Sequence, residues 1–263
     1  MSRIALAQTT STDDFQSNLK LAQGMMEQAA AAGAALLAFP EVFLYIGGRR
    51  GRLENALAVD GPVVTGFREA AARHRMMTLL GSVHERMPEN PDKVYNTSVL
   101  IDGAGEVLAS YRKLKLFDVE LPGFAFRESD NIAPGQAEPP VVDTSIGRIG
   151  LTICFDLRFA ALYLGLRQRG AEVILVPSNF TAPTGAAHWE ALLRARAIEN
   201  QVYVAAPAQY GQHSPKYRSY GHTMLVDPWG VVTAQGSEQT GLVFGEIDLD
   251  YLRKVRRELP MRL

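Results

Sequence analysis

The chain holds one cysteine, Cys154, and the run Gly150-Leu-Thr-Ile-Cys154-Phe-Asp-Leu-Arg158 places its thiol where an apolar stretch gives way to a helical pattern. A side chain at such a junction has a strand behind it and helix N-terminal N–H groups in front. Their partial positive charge lowers a thiol's pKa and stabilises an oxyanion. A lone cysteine behind an apolar strand is equally a small packed residue, so chemistry requires partners. Two stand at comparable strand ends: Glu41 follows Leu36-Leu-Ala-Phe-Pro40, and Lys113 follows Leu108-Ala-Ser-Tyr-Arg112. Taken singly, each reads as an ordinary ion-pairing residue. Together, a base, a cation and a thiol are the parts of acyl transfer, with Glu41 taking the thiol proton, Cys154 attacking a carbonyl and Lys113 neutralising the developing negative oxygen. Among five histidines, His84 at a strand end and His188 at a helix start offer a Cys–His pair instead. Spacing does not choose between the glutamate and a histidine.

The elements that must hold these residues alternate in type. Short apolar, β-branched runs predict strands over 3–8, 35–39, 77–83, 148–153, 172–176, 202–206, 223–226, 231–234 and 242–247, with a hairpin over 97–102 and 107–111. Helical spacing covers 14–32, with Ser11 or Asp13 as N-cap, then 66–74, 157–169 and 187–200. Strand–helix alternation with interleaved hairpins indicates an α/β protein whose mixed sheets are covered by helices. The Pro- and Gly-rich stretch 117–140, with Pro122, Gly123, Pro134 and Gly135, also carries charged and aromatic residues and reads as an ordered excursion. With no repeat and no long linker, 1–263 reads as one domain.

Composition narrows the function. At 263 residues and 47% hydrophobic, the chain has material for a large core. Lys+Arg at 27 against Asp+Glu at 28 gives a net charge of −1, which argues against a nucleic-acid-binding field over the whole molecule. One cysteine excludes an intramolecular disulfide, a redox pair and a multi-cysteine metal site. No run approaches the ~18 apolar residues of a membrane span, and the N-terminus lacks the length of a secretory signal. A cytoplasmic chain without membrane contact, metal or cofactor is the expectation.

Three segments, Phe39-Pro-Glu41, Tyr111-Arg-Lys113 and Cys154-Phe-Asp-Leu-Arg-Phe159, resemble the Glu–Lys–Cys signature of the nitrilase superfamily of carbon–nitrogen hydrolases, in that family's order and spacing. The resemblance continues through Arg127-Glu-Ser-Asp130, Val176-Pro-Ser-Asn-Phe-Thr181, Thr184-Gly-Ala-Ala-His-Trp-Glu190, Leu193 to Asn200, Tyr220-Gly-His-Thr223 and Val226-Asp-Pro-Trp-Gly230, and so covers nearly the whole chain. It implies a four-layer α-β-β-α sandwich and a homodimer or larger homo-oligomer. It assigns Glu41 as general base, Lys113 as stabiliser of the tetrahedral intermediate and Cys154 as nucleophile. Glu128 maps to a second glutamate near the lysine, and Phe155 to a backbone N–H of the oxyanion hole. Asp156 and Arg158 read as scaffold, with Arg158 paired to Asp156 or another acid; His188, Trp189 and Glu190 read as helix-opening and packing residues.

Within the family, the 187–200 block, the 211–221 loop and the C-terminal 251–260 run resemble the amidase branch acting on small α-keto-acid amides. Deaminated glutathione, cleaved to 2-oxoglutarate and Cys-Gly, is the substrate expected from that resemblance. An ω-amidase acting on α-ketoglutaramate or α-ketosuccinamate, an N-carbamoyl amidohydrolase and a non-catalytic scaffold of the same fold are the other readings. Lys115 departs from the branch, which carries histidine there. An anionic substrate calls for local cations or donors: Arg49, Arg50, Lys216, Arg218 and the hydroxyls of Tyr45, Thr181 and Thr184. Asn179 and Phe180, on the loop after the 172–176 strand, are expected to line the site.

Overall fold

The structure is a computed structural model that describes residues 1–121, 124–215 and 217–261. Two mixed sheets lie face to face between layers of helix. The first carries, in spatial order, β17 (Gly241–Ile247), β1 (Ser2–Gln8), β2 (Leu36–Ala38), β3 (Met77–Arg86), β4 (Val94–Ile101) and β5 (Val107–Arg112), with β8 (Ile132–Ala133) also paired to β4. The second runs β16 (Val232–Gln235), β15 (Met224–Val226), β12 (Tyr203–Ala206), β11 (Val173–Leu175), β10 (Gly147–Leu151) and β9 (Val141–Thr144). Parallel pairs occupy the centres, β1–β2–β3 in one sheet and β10–β11–β12 in the other. Two hairpins stand outside the sheets, β6 (Asp118–Leu121) with β7 (Phe124–Arg127) and β13 (Tyr210–Ser214) with β14 (Tyr217–Tyr220).

Side-chain alternation explains the layering. Ile4, Leu6, Leu36, Ala38, Met77 and Leu79 face the second sheet. Their chain neighbours Ala5, Ala7, Leu37 and Leu80 face the opposite way, toward helices α1 (Phe15–Ala31) and α3 (Pro62–His74). Strands buried on both sides read as continuous apolar runs, as observed here. On the far side, α4 (Ala160–Gln168) and α5 (Ala182–Asn200) cover the second sheet with Tyr163, Leu166, Trp189 and Leu193. The α-β-β-α sandwich expected from the family resemblance is therefore present.

Several boundaries differ from the sequence reading. Asp14, not Ser11 or Asp13, caps α1, accepting from the Ser17 N–H at 3.0 Å. Helix α5 begins at Ala182 rather than at 187, so His188, Trp189 and Glu190 lie inside it rather than opening it. Gly185 hid this extension, since glycine lowers helix propensity; it is there because a Cβ would come within 2.2 Å of the Tyr220 Cβ. The short α2 (Arg49–Glu54), the β13–β14 hairpin and α6 (Leu249–Glu258) had no counterpart in the pattern reading. Among the described residues, no helix is long and apolar enough to cross a membrane.

One close approach fixes the path into the site. A Cβ on Gly81 would lie 1.7 Å from the Phe39 carbonyl oxygen and 2.6 Å from that of Pro40. Gly81→Ala must therefore displace the backbone leading into Glu41. Its expected result is a loss of about 1–3 kcal/mol in stability, read as a lower urea midpoint, together with reduced turnover. An unchanged midpoint and rate would show that the strand end shifts freely.

Candidate active site

Glu41, Lys113, Cys154 and Asn179 all follow the carboxyl ends of sheet strands, β2, β5, β10 and β11 respectively. Crevices at such ends are where α/β sheets bind ligands. Stacking holds Glu41 from both sides: the Phe39 and Phe43 rings lie 4.5 Å apart and nearly parallel, and each meets Phe67 edge-on. Between them the backbone makes a tight turn in which Val42 adopts φ 49°, with its N–H donating to Ser82 Oγ at 2.9 Å. A β-branched residue in the left-handed region is strained, and the surrounding bonds must hold it there. Gln209 adds one such bond, donating from Nε2 to the Glu41 carbonyl at 3.0 Å.

The buried centre is an ion cluster. Lys113, only 2% exposed, donates from Nζ to Glu41 Oε1 at 2.8 Å and to Glu128 Oε2 and Oε1 at 2.9 and 3.1 Å. Two carboxylates against one ammonium leave an excess negative charge away from water, which extra donors must offset. Asn96 Nδ2 supplies them to Glu41 at 2.9 Å and to Glu128 at 3.3 Å, and the Phe117 N–H donates to Glu128 at 2.7 Å. Burial alone would lower the Lys113 pKa, but the Glu128 and Glu41 charges outweigh it and hold the ammonium well above its ordinary range.

Cys154 faces this cluster, 7% exposed, at φ 46° with its N–H on the Pro177 carbonyl at 2.9 Å. Here the structure reverses the expected electrostatics. The element that starts at Cys154 is a 3₁₀ turn, Cys154–Arg158, and the α-helix begins only at Ala160. So short a turn carries little dipole. Burial, then the Glu41 charge, pushes the thiol well above its ordinary pKa, against the opposing pull of Lys113 and the Asn179 N–H. The resting group is a neutral thiol beside a carboxylate. Phe155 follows it on the cavity wall, and its backbone N–H has no partner among the described residues.

A cavity of about 570 Å³ opens over the cluster. Its walls include Tyr45, Asn179, Phe180, Thr181 and Thr184, which the sequence reading placed there. The Thr181 and Thr184 hydroxyls bond each other at 2.7 Å. Asn179 Oδ1 accepts from Ser219 on β14, which in turn bonds His213 Nε2 at 2.8 Å, so the hairpin missed from sequence closes one side. Tyr217 from the same hairpin also lines the cavity.

The cations are not those expected. Arg49 pairs with Asp92 at 2.8 Å, Arg50 with Glu54 at 2.7 Å, and Arg218 is exposed on β14 away from the cavity wall. Lys216 lies outside the described residues, as do Pro122 and Gly123. Lys115 sits with its ammonium 4.9 Å from the centre of the Phe159 ring and does not line the cavity. Arg52 and Arg158 line it instead. Asp156 is engaged by the Tyr111 hydroxyl at 2.8 Å and by the Ile153 and Lys115 N–H groups, each at 3.0 Å. Arg158 therefore pairs with no acid among the described residues. Its guanidinium lies 5.5 and 5.3 Å from the Phe155 and Phe180 ring centres, near His188 Nδ1 at 3.3 Å, and its buried Nε has no partner among the described residues. An arginine four positions after Cys154, without an acidic partner in helical register, was the available signal for its place on the cavity wall. Of the two histidines, His188 is exposed on α5, while His84 lines the cavity with its pKa lowered to about 3 by burial and by the Arg52 charge.

Known proteins resemble the chain along nearly its whole length. The family model for carbon-nitrogen hydrolase matches residues 3–257. The nitrilase and fragile histidine triad fusion protein NitFhit of Caenorhabditis elegans is 45% identical over 98% of this chain, which spans 59% of that relative's length. Its crystal structure superposes with a TM-score of 0.94, covering 98% of this chain and 63% of the other. Human deaminated glutathione amidase is 45% identical over 98% of this chain and 80% of its own length. A mutant of the amidase from Nesterenkonia sp. AN1, in which acrylamide has added to the active-site cysteine, is 29% identical with a TM-score of 0.81, covering 98% of each chain.

Proposed function

The chain belongs to the carbon–nitrogen hydrolase family, and from that premise we propose that it is a thiol amidase whose substrate is deaminated glutathione. The observation that carries the reading is the buried Glu41–Lys113–Glu128 cluster facing a neutral Cys154 thiol at the floor of a cavity. A neutral thiol needs a base, and Glu41 is the carboxylate whose charge acts on it. Glu41 takes the thiol proton as Sγ bonds to the amide carbonyl carbon. The oxygen that gains negative charge is met by the Lys113 ammonium and the free Phe155 N–H. Glu41 then passes its proton to the amide nitrogen as the C–N bond breaks, which leaves a thioester and a free amine. Water, giving a proton to Glu41, attacks the thioester; the C–S bond breaks and the sulfur recovers that proton. Glu128 holds Lys113 charged and in place throughout.

Substrate choice rests on the relatives that bear the name deaminated glutathione amidase at 39–45% identity and on the two cavity arginines. Arg158, beside the nucleophile with an unpaired Nε, suits the carboxylate of a keto-acid acyl group. A product assay on deaminated glutathione beside α-ketoglutaramate tests the assignment. The expected result is a kcat/KM at least about tenfold higher for the first. The opposite preference would reassign the branch to ω-amidase, and no turnover of any amide would leave a non-catalytic scaffold.

A further inference from the structure

Arg52 is a cavity cation that the reaction leaves unused. It projects from α2, half-buried, and its guanidinium makes no hydrogen bond or ion pair among the described residues. The neighbouring arginines of the same helix are committed to Asp92 and Glu54. Glu128, the carboxylate whose charge reaches Arg52, is itself held by Lys113, Asn96 and the Phe117 N–H. A cation withdrawn from water without a partner is costly unless a ligand supplies the missing charge. Burial accordingly pulls the guanidinium below its ordinary pKa.

The two cavity arginines address different regions. Arg158 follows β10 of the second sheet and acts on Cys154; Arg52 follows β2 of the first and acts on Tyr45, His84 and Glu128, and neither perturbs the other. Glu41, which hands its proton to the departing nitrogen, belongs to the segment that runs on into α2. The acyl half of an amide thus has its cation on the nucleophile's side, and the amine half has Arg52. Resting on the amidase reading above, we propose that Arg52 binds the carboxylate at the far end of the leaving amine, and so selects an amide with a dipeptide leaving group over a primary amide. Tyr45 and the buried His84, whose ring centres lie 6.4 Å apart, line the same cavity and offer further polar partners.

The two substrates separate this role from general damage, because α-ketoglutaramate releases ammonia and has no carboxylate beyond the scissile nitrogen. Arg52→Gln is measured on both, with kcat and KM resolved, and Arg52→Lys beside it. The expected result is that the ratio of kcat/KM, deaminated glutathione over α-ketoglutaramate, falls about 10- to 100-fold in Arg52→Gln. Most of the change falls in KM, and Arg52→Lys recovers part of it. A ratio within about twofold of wild type in Arg52→Gln overturns the proposal while the amidase reading stands. A wild-type protein that does not hydrolyse deaminated glutathione overturns the parent reading, and this inference with it.

Discussion

Replacing Cys154 by alanine is expected to abolish amide hydrolysis, with kcat falling by about 10⁴- to 10⁶-fold. The size of the effect follows from the site's construction. Glu41 and Lys113 remain after the substitution, but neither can form the thioester, and a water in place of sulfur would lack the tether to β10 that holds Cys154 in position. Because the cluster of Lys113 with its two carboxylates survives intact, the variant is expected to keep a urea midpoint close to wild type. Loss of rate without loss of fold separates the covalent role from a packing role. Mass spectrometry of the quenched wild-type reaction adds a direct readout, an acyl adduct confined to the peptide containing Cys154. Turnover that persists in Cys154→Ala would eliminate the covalent mechanism.

Lys113→Met carries the largest combined effect. The ammonium is the only cation within hydrogen-bond reach of Glu41 and Glu128 among the described residues, and its removal leaves two buried carboxylates facing each other. Breaking a buried pair by deleting one partner costs about 3–5 kcal/mol, and here one deletion breaks two. The expected outcome is a stability loss of that order, measured from urea denaturation, with turnover lower by at least about 10²-fold. The double variant Lys113→Met/Glu128→Gln is expected to regain part of the stability, since it removes one of the stranded charges, and to stay inactive. A single variant within about 1 kcal/mol of wild type would mean that the cluster relaxes or takes up water at no cost.

Much of the framework is legible along the chain. The two-faced burial of β1, β2, β10 and β11 appears as apolar runs, and Glu41 and Cys154 sit just past two of them, while Lys113 follows the half-exposed hairpin strand β5. Elements whose stability is borrowed from elsewhere are not legible. The β13–β14 hairpin has little apolar content of its own and is held through Ser219, His213 and Asn179. Helix α2 has six residues, includes Gly51 and buries none of them, so it carries no periodic signal. Gly185 interrupts the helical pattern at the start of α5 for a reason that lies on Tyr220, thirty-five positions away.

The same division runs through the site. Residue order and type determined that this protein has one thiol, a glutamate and a lysine at strand ends, and a family pattern linking them. Those features depend on local sequence, where strand periodicity and chain direction suffice. Only the tertiary structure decided the charge state of the thiol and the identity of the cations. The Cys154 pKa is raised rather than lowered because burial and Glu41, brought from the other sheet, outweigh Lys113 and the Asn179 N–H. Arg52 and Arg158 face the cavity, while Arg49 and Arg50 meet acids at the surface. Solvation and long-range charge act through space, so they become defined only when the sheets have packed and water has been excluded between them.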